Sequence, residues 1–372
     1  MINIFIITER RADYSRFKPI LELIDKDSEL DYTLVVTGAH LVDTMGYTKK
    51  EIINDGFKIH YEIQMFTESD DTGAAMVRSF ARVAEKVTYC LEDSKPDLIL
   101  SGFDIGANLA VVIAGAHMNI PVAHIQGGEV TGTIDESIRH AMTKFSHYHF
   151  ASNQDAVDRL IKLGEKPENV FNVGCPSIDA ILETKDNPQI LKRYGLMENN
   201  YFILLQHPVT SEIDKSKEQI QITISSIKKS KINTLIILPN NDAGFSEIIK
   251  ELKDSKIQYV ESLNITDYIN LLKRSAGLIG NSSSGIHETA SFNIPTINIG
   301  TRQNGRFRPK NVIDVNHNEI EIMNAIKKCR ELKSNNIKFE NPYGDGKSSR
   351  RIVSLIKSLD LSSKIIQKQI TY

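Results

Sequence analysis

Eighteen residues, HIQGGEVTGTIDESIRHA (124–141), gather carboxylates, an amide, histidines and glycines directly after an apolar run. Gly127, Gly128 and Gly132 have no side chain, so their loop bends close to a ligand and carries Glu129 and Asp135 to it. Asp104, at the end of the preceding apolar segment, faces the same space. Carboxylates that share a partly dry cleft raise one another's pKa, which equips one as an acid and another as a base. The chemistry this predicts is proton transfer. Asp135 and Arg139 are also spaced i, i+4, which suits a pair across one helical turn.

A second constellation, GNSSSGIHE (280–288), ends an apolar segment and opens a helix. Free backbone N–H groups, the hydroxyls of Ser282 and Ser283 and the helix dipole suit a diphosphate, and Glu288 is placed to accept from a ribose diol. A plain serine cap on a glycine-rich turn is the competing reading. Arg11 and Asp13 stand at the first strand–helix junction, where Arg fits a phosphate in fork geometry and Asp13 caps the helix or holds that Arg. A surface ion pair competes here. Arg302, after INIG, reaches for the same phosphates. His207 precedes a proline at a strand end, which fixes its backbone in an extended form. It reads as an acid/base or a phosphate ligand, with a histidine held by backbone as the rival. Ser15 in ERRADYS and Asn240 and Asp242 in NND occupy equivalent strand-end clusters and join the binding set. His, Asp and Glu never fall at HExxH spacing, so no metal is predicted. Without GxGxxG after the first strand or GxxxxGK[ST], nicotinamide and P-loop chemistry are weakly supported, and no cofactor is expected.

The elements that must position these residues are short apolar runs alternating with amphipathic ones. Residues 2–8, 31–38, 96–102, 120–125, 147–152 and 169–174 read as buried parallel strands, each leading into a polar turn. Helices are expected near 15–25, 74–91 and 135–145, the last capped by Asp135 or Thr133. The pattern restarts with strands at 200–208, 233–242, 257–262, 276–283, 294–300 and 311–315. The prediction is an α/β chain of two Rossmann-like, doubly wound domains facing each other across a cleft. The first spans 1–185 and the second 186–347, with a closing helix in 348–372. Strand carboxyl ends share one rim, so the polar clusters should converge.

Composition narrows the class. The chain has 372 residues, 41% hydrophobic and 25% charged, with a formal net charge of −2. No basic excess suggests a nucleic-acid partner. The longest apolar run, 109–122, is broken by His117 and Asn119 and falls short of the ~20 residues of a membrane helix. The N-terminus lacks the features of a signal peptide. Cys90, Cys175 and Cys329 are odd in number and widely spaced, which fits reduced thiols in a cytoplasm.

Taken together, RADYS, GAHL with GYT, GGEVTGTIDESIRHA, QHPVT, PNNDAG, GNSSSGIHE, GTRQNGR and YGDG resemble the hydrolysing UDP-N-acetylglucosamine 2-epimerases that begin sialic-acid synthesis. The resemblance runs over nearly the whole chain. It implies a GT-B fold, with the C-terminal helix crossing back to the first domain, and usually a homodimer or homotetramer. It also implies anti elimination of UDP through a 2-acetamidoglucal, then hydration to free N-acetylmannosamine. By position, Asp104, Glu129, Asp135 and His207 look like the acid/base set, and Arg11, Ser282, Ser283 and Arg302 like diphosphate ligands. Glu288 looks like the ribose ligand, and His40 and Arg139 like cleft residues.

Two departures stand out. Where the sialic-acid enzymes commonly read GDR, this chain has SGFDIGAN, with Ile105 in place of Arg. Where they read HIEGGE, it has HIQGGE, and Gln126 neither gives nor takes a proton at neutral pH. Glu129 or Asp135 must then carry the proton work. Losing a carboxylate and an Arg near the sugar suits a less polar substrate, so UDP- or GDP-linked N,N'-diacetylbacillosamine is the alternative to UDP-N-acetylglucosamine. A non-hydrolysing epimerase, a GT-B glycosyltransferase and a silent nucleotide-sugar binder are the rival classes.

Overall fold

The computed structural model describes residues 1–43, 46–67, 73–103, 106–132, 134–209, 211–239 and 244–371. The chain forms two compact units, Met1–Glu129 with Ile134–Ala180 and Tyr343–Tyr372, and Val130–Thr133 with Ile181–Pro342.

In the first unit the strands are β1 (Ile2–Thr8), β2 (Leu30–Thr37), β3 (Tyr61–Ile63), β4 (Leu98–Gly102), β5 (Val122–Ile125), β6 (Tyr148–Ala151) and β7 (Val170–Asn172). They lie in the order β3-β2-β1-β4-β5-β6-β7, every neighbouring pair parallel. Side chains alternate across a strand, and both faces are buried here. Ile4 and Ile6 join Leu34, Val36 and Leu100 in one core under the helices Arg11–Ile24 and Ser348–Ile356. Phe5 and Ile7 join Val35 and Ile99 in the other, under Gly73–Ser94 and Gly106–His117. Helices on both faces are why these strands are apolar without a regular in–out alternation.

The second unit repeats the plan with β8 (Phe202–Leu205), β9 (Thr234–Ile237), β10 (Tyr259–Val260), β11 (Gly277–Gly280), β12 (Thr296–Ile299) and β13 (Val312–Val315). Their order is β10-β9-β8-β11-β12-β13, again parallel throughout. Helices Ser216–Ser230, Phe245–Asp254 and Glu319–Ser334 cover it through Ile220, Ile224, Leu252, Ile322 and Ile326. Both sheets are doubly wound, as the alternation of segments predicts. Each has a switch point where the strand order reverses, between β1 and β4 and between β8 and β11, and ligands of open α/β sheets sit at the strand carboxyl ends there.

Two local expectations are corrected and one element is added. β3 was not expected; it is a three-residue edge strand whose middle residue, Glu62, is exposed. The closing helix expected in 348–372 covers only Ser348–Ile356. Asp135 does not cap its helix: Ile134 holds the cap position with φ −56° and ψ −24°. That backbone is already helical, so Asp135 falls in the first turn, where a carboxylate favours the helix dipole; Thr133 lies outside the described residues.

One glycine at a switch point sets a sharp requirement. Gly280 has φ +129°, and a Cβ there would stand 2.1 Å from the Leu205 carbonyl oxygen. Main chain cannot withdraw from that contact without breaking the β8–β11 pairing. Gly280→Ala is therefore expected to destabilise the second unit by about 3 kcal/mol or more. Urea unfolding checks it, and an unchanged midpoint contradicts it.

Candidate active site

In the first unit the rim is formed by the turns after β1, β2, β4, β5 and β6. After β1, Asp13 accepts hydrogen bonds from the Glu9 and Arg10 amides (both 2.8 Å) and from the Thr8 hydroxyl (3.0 Å). His40, in the turn Gly38–Leu41, meets the Thr8 hydroxyl at 3.0 Å through Nε2 and the Thr48 hydroxyl at 2.6 Å through Nδ1. Burial lowers its pKa, against the pull of Asp13. Asp13 and His40 thus brace the turn that carries Arg11. Arg11 pairs with Glu51 at 2.7 Å, and the Ser15 hydroxyl donates to the Ala12 carbonyl. Glu9, not singled out by the sequence, is buried and accepts from the Ala107 amide at 3.0 Å. It ties the end of β1 to the first turn of the helix after β4, across the switch point.

The loop after β5 is a buried polar cluster. Gln126 leaves the strand with φ +60° and is held three ways. Arg16 donates to its Oε1 at 3.2 Å. Its Nε2 donates to Glu129 Oε1 at 3.3 Å and faces the Cys175 sulfur at 3.0 Å. The Ser152 hydroxyl donates to the same Glu129 oxygen. Arg139 donates to the Glu129 carbonyl at 3.0 Å, and Arg159 to the Gly128 carbonyl at 2.7 Å. Gly128 has φ +80°, and a Cβ there would lie 2.4 Å from the Ala156 carbonyl oxygen. Gly128 therefore lets this loop pack against the helix Gln154–Lys162, and the loop carries a buried carboxylate.

Nothing in the sequence marks Arg16, Ser152 or Cys175 as a neighbour of Glu129. Arg16 also stacks over Phe103, 4.8 Å from the ring centroid, at the end of β4, where Phe103 has φ +72°. Cys175 is a free, buried cysteine. Burial pushes its thiol up to about 11, with Arg16 opposing and Glu129 adding to the rise, so it sits beside Glu129 as a neutral group. Asp135 is half-buried in the first turn of the helix Asp135–Phe145. Asp104 and Ile105 lie outside the described residues.

His124, two residues before Gln126, gives the rim an acid limit. It is fully buried, with Nδ1 3.4 Å from the Thr143 hydroxyl. Burial first, and then His149, lower its pKa from 6.5 to about 3. The folded state keeps it neutral while the unfolded chain protonates below 6.5, so the unfolded state binds more protons and stability rises with pH. The stability lost as pH falls from 6.5 towards 3 is about 1.4 kcal/mol per pH unit for this group. Urea midpoints at pH 7, 6 and 5 are expected to fall accordingly, and less steeply in His124→Gln. Midpoints independent of pH over that range contradict the assignment.

In the second unit the switch point is closed by one amide. Asn281 Oδ1 accepts from the His207 amide at 2.7 Å, and its Nδ2 donates to the His207 carbonyl at 2.8 Å. Arg302 and Gln303 both donate to the Asn281 carbonyl, at 3.2 and 2.8 Å. Burial, helped by the Arg302 guanidinium, holds His207 well below its ordinary pKa. His207 is a neutral imidazole beside a fixed cation. Ser282 Oγ accepts from the Ser284 amide at 3.3 Å. The Ser284 hydroxyl donates to Glu288 at 2.5 Å and meets the Tyr268 hydroxyl. Burial and Glu288 raise the Tyr268 pKa, which keeps the phenol protonated. The helix here is one turn, Ser284–His287, so its dipole is small and hydroxyls, amides and Arg302 supply the polar surface. Asn240 and Asp242 lie outside the described residues. Among the described residues, no group of three or more His, Cys, Asp or Glu is placed to hold a metal ion, and no helix is long and apolar enough to cross a membrane.

Each unit thus gathers polar groups at the carboxyl ends of its strands. Residues 22–357 match the family model described as UDP-N-acetylglucosamine 2-epimerase. The chain belongs to that family. It is similar, 36% identical over 98% of both chains, to the UDP-N,N'-diacetylbacillosamine 2-epimerase (hydrolyzing) of Legionella pneumophila. It is 32% identical to the UDP-N-acetylglucosamine 2-epimerase of Neisseria meningitidis serogroup B, over 89% of this chain and 88% of that one. Among solved structures, the fold is similar to the UDP-GlcNAc 2-epimerase from Neisseria meningitidis bound to UDP-GlcNAc, with a TM-score of 0.82, 18% identity and coverage of 96% of this chain and 100% of that one. The chain is an epimerase-family enzyme, and its sheets have the GT-B-like plan of these neighbours.

Proposed function

We propose that this epimerase is hydrolysing and acts on a UDP-linked 2-acetamido sugar. The observation that carries the reading is Glu129, a carboxylate buried on a glycine loop at a strand carboxyl end. The C2 proton of such a sugar is weakly acidic, so its removal needs a positioned base and stabilisation of the departing diphosphate. In this reading a carboxylate takes the C2 proton, the C1–O bond breaks and UDP leaves with its electron pair. Water then adds across the 2-acetamidoglucal, hydroxyl to C1 and a proton to C2 from the opposite face. Glu129, Asp135, Asp104 and His207 form the acid/base set. Arg11, Ser282, Ser283 and Arg302 hold the diphosphate, Glu288 the ribose, and Asn240 and Asp242 complete the nucleotide side. The first unit serves the sugar and the second the nucleotide.

We assign UDP-N,N'-diacetylbacillosamine as the preferred sugar. The neutral Gln126, fixed by Arg16 and turned onto Glu129, suits a 6-deoxy sugar with a second acetamido group. The relative from Legionella is named for that substrate. The second reading, UDP-N-acetylglucosamine, is favoured by the relative from Neisseria. Either product is a precursor for a nonulosonic acid. The proposal includes a cytoplasmic homodimer or homotetramer, to be read by fractionation and sedimentation.

Nucleotide release from the two sugars, measured in parallel, tests the assignment. The first reading predicts a kcat/KM about tenfold or more higher for the diacetylbacillosamine nucleotide, within the range that a few altered sugar contacts supply. The reverse order selects the second reading. Release from neither sugar sinks both and returns the glycosyltransferase class, tested with acceptors.

A further inference from the structure

Beyond the closing helix, the described residues 357–371 form neither helix nor strand and are nonetheless fixed to the first unit. The Tyr148 hydroxyl donates to the Asp360 carbonyl at 2.7 Å. The Ile366 carbonyl lies 3.3 Å from His147 Nε2, and the Thr371 amide donates to the Gly164 carbonyl at 2.9 Å. At the centre is Lys368. Its ammonium meets the carbonyls of Thr143 and Ser146, both at 2.7 Å, that of Lys144 at 3.4 Å, and Glu165 Oε2 at 2.5 Å. Glu165 is buried and also binds Lys144 at 2.9 Å and His149 at 2.8 Å. Burial pushes its carboxyl up, but the hydrogen bond from His149 and the Lys368 ammonium outweigh this and hold it at about 2.

These carbonyls close the C-terminal end of the helix Asp135–Phe145, where unsatisfied carbonyls and the helix dipole favour a cation. Asp135, Arg139 and Thr143 are spaced i, i+4, i+8 and share one face of that helix. The Thr143 hydroxyl donates to the Arg139 carbonyl at 3.1 Å, and Arg139 donates to the Glu129 carbonyl at 3.0 Å. An eleven-residue helix is a rod of about 16 Å, so a clamp on its last turn fixes the axial position of its first. We propose that Lys368 is a positioning residue for proton transfer, pinning this helix so that Asp135, and Glu129 through Arg139, are held in register with the sugar. The proposal rests on the reading of those carboxylates as the acid/base set.

The test uses the full chain as Lys368→Met, Lys368→Arg and, as control, Tyr148→Phe, which loosens the tail at Asp360 without touching the helix. Lys368→Met is expected to lower kcat about 10- to 100-fold, the effect of a small misplacement of reacting groups, with KM within twofold. Amide hydrogen exchange over residues 135–139 is expected to rise. Lys368→Arg should recover most of the activity, and Tyr148→Phe should keep kcat even where its thermal midpoint falls. An unchanged kcat in Lys368→Met, or an equal loss in Tyr148→Phe at the same loss of stability, overturns the proposal. Lys368→Gln takes the place of Lys368→Met if that variant does not fold. A wild-type chain that releases no nucleotide would refute the epimerase reading, and unchanged exchange over 135–139 would still refute the pin.

Discussion

Glu129→Gln is expected to lower turnover about 100- to 10,000-fold while leaving nucleotide affinity within a few-fold. The substitution keeps shape and hydrogen-bonding capacity, so Ser152 and the backbone contact from Arg139 retain an acceptor. It removes only the ability to take or give a proton, and general acid–base catalysis is worth that range. The neighbours leave no substitute within the loop. Gln126 is an amide, and the Cys175 thiol is pushed up to about 11, neutral at working pH. Rapid quench with radiolabelled nucleotide sugar separates the chemical step from binding. A Glu129→Gln variant with near wild-type turnover would move the base to Asp135 or Asp104.

The second large effect is expected on the nucleotide side. Arg302→Met should raise KM about 10- to 100-fold, since a hydrogen bond from a charged donor contributes about 1.5–3 kcal/mol. Two consequences separate this from simple loss of folding. Gln303 still donates to the Asn281 carbonyl at 2.8 Å, so the closure of β8 on β11 persists and thermal stability should change little. The guanidinium is also the second cause, after burial, of the low His207 pKa. Removing it should move that pKa upward towards, but not to, the ordinary value, because burial remains. NMR titration of the His207 ring in wild type and variant reads this shift. An unchanged KM would take Arg302 out of the diphosphate set.

The sheet architecture was legible because both faces of each sheet are covered. In a strand such as INIFIIT the run Ile4–Ile7 is apolar and buried on both faces, and the polar turn that follows marks the carboxyl end. The same burial hid one element. GANLAVVIAGAH is a helix, Gly106–His117, but it is apolar around its circumference, so no 3.6-residue period shows. The edge strand Tyr61–Ile63 was missed for the opposite reason: three residues with a central Glu carry no pattern.

At the candidate site, the glycine loop and the serine-rich turn stand out in the sequence because their composition is unusual for a strand end. The sequence does not show what holds them. Arg16, Ser152 and Cys175 come from three different elements and meet at Gln126 and Glu129 only through the parallel register, in which Ala123, His124 and Ile125 align with Tyr148, His149 and Phe150. No spacing along the chain encodes such a meeting. Asp13 and His40 illustrate the converse. They fall in strand-end clusters, yet Asp13 binds the turn after β1 and His40 bridges Thr8 to Thr48, so both brace the turn that carries Arg11.

The central claim is that a carboxylate of this chain removes the C2 proton before water enters. Proton NMR of the free sugar released in D2O tests it most directly, with the UDP-linked diacetylbacillosamine and N-acetylglucosamine substrates run side by side. The account predicts a manno-configured sugar carrying deuterium at C2 in every molecule, released together with UDP. A free sugar that keeps its original proton at C2 and its gluco configuration would mean simple hydrolysis at C1, and would contradict it.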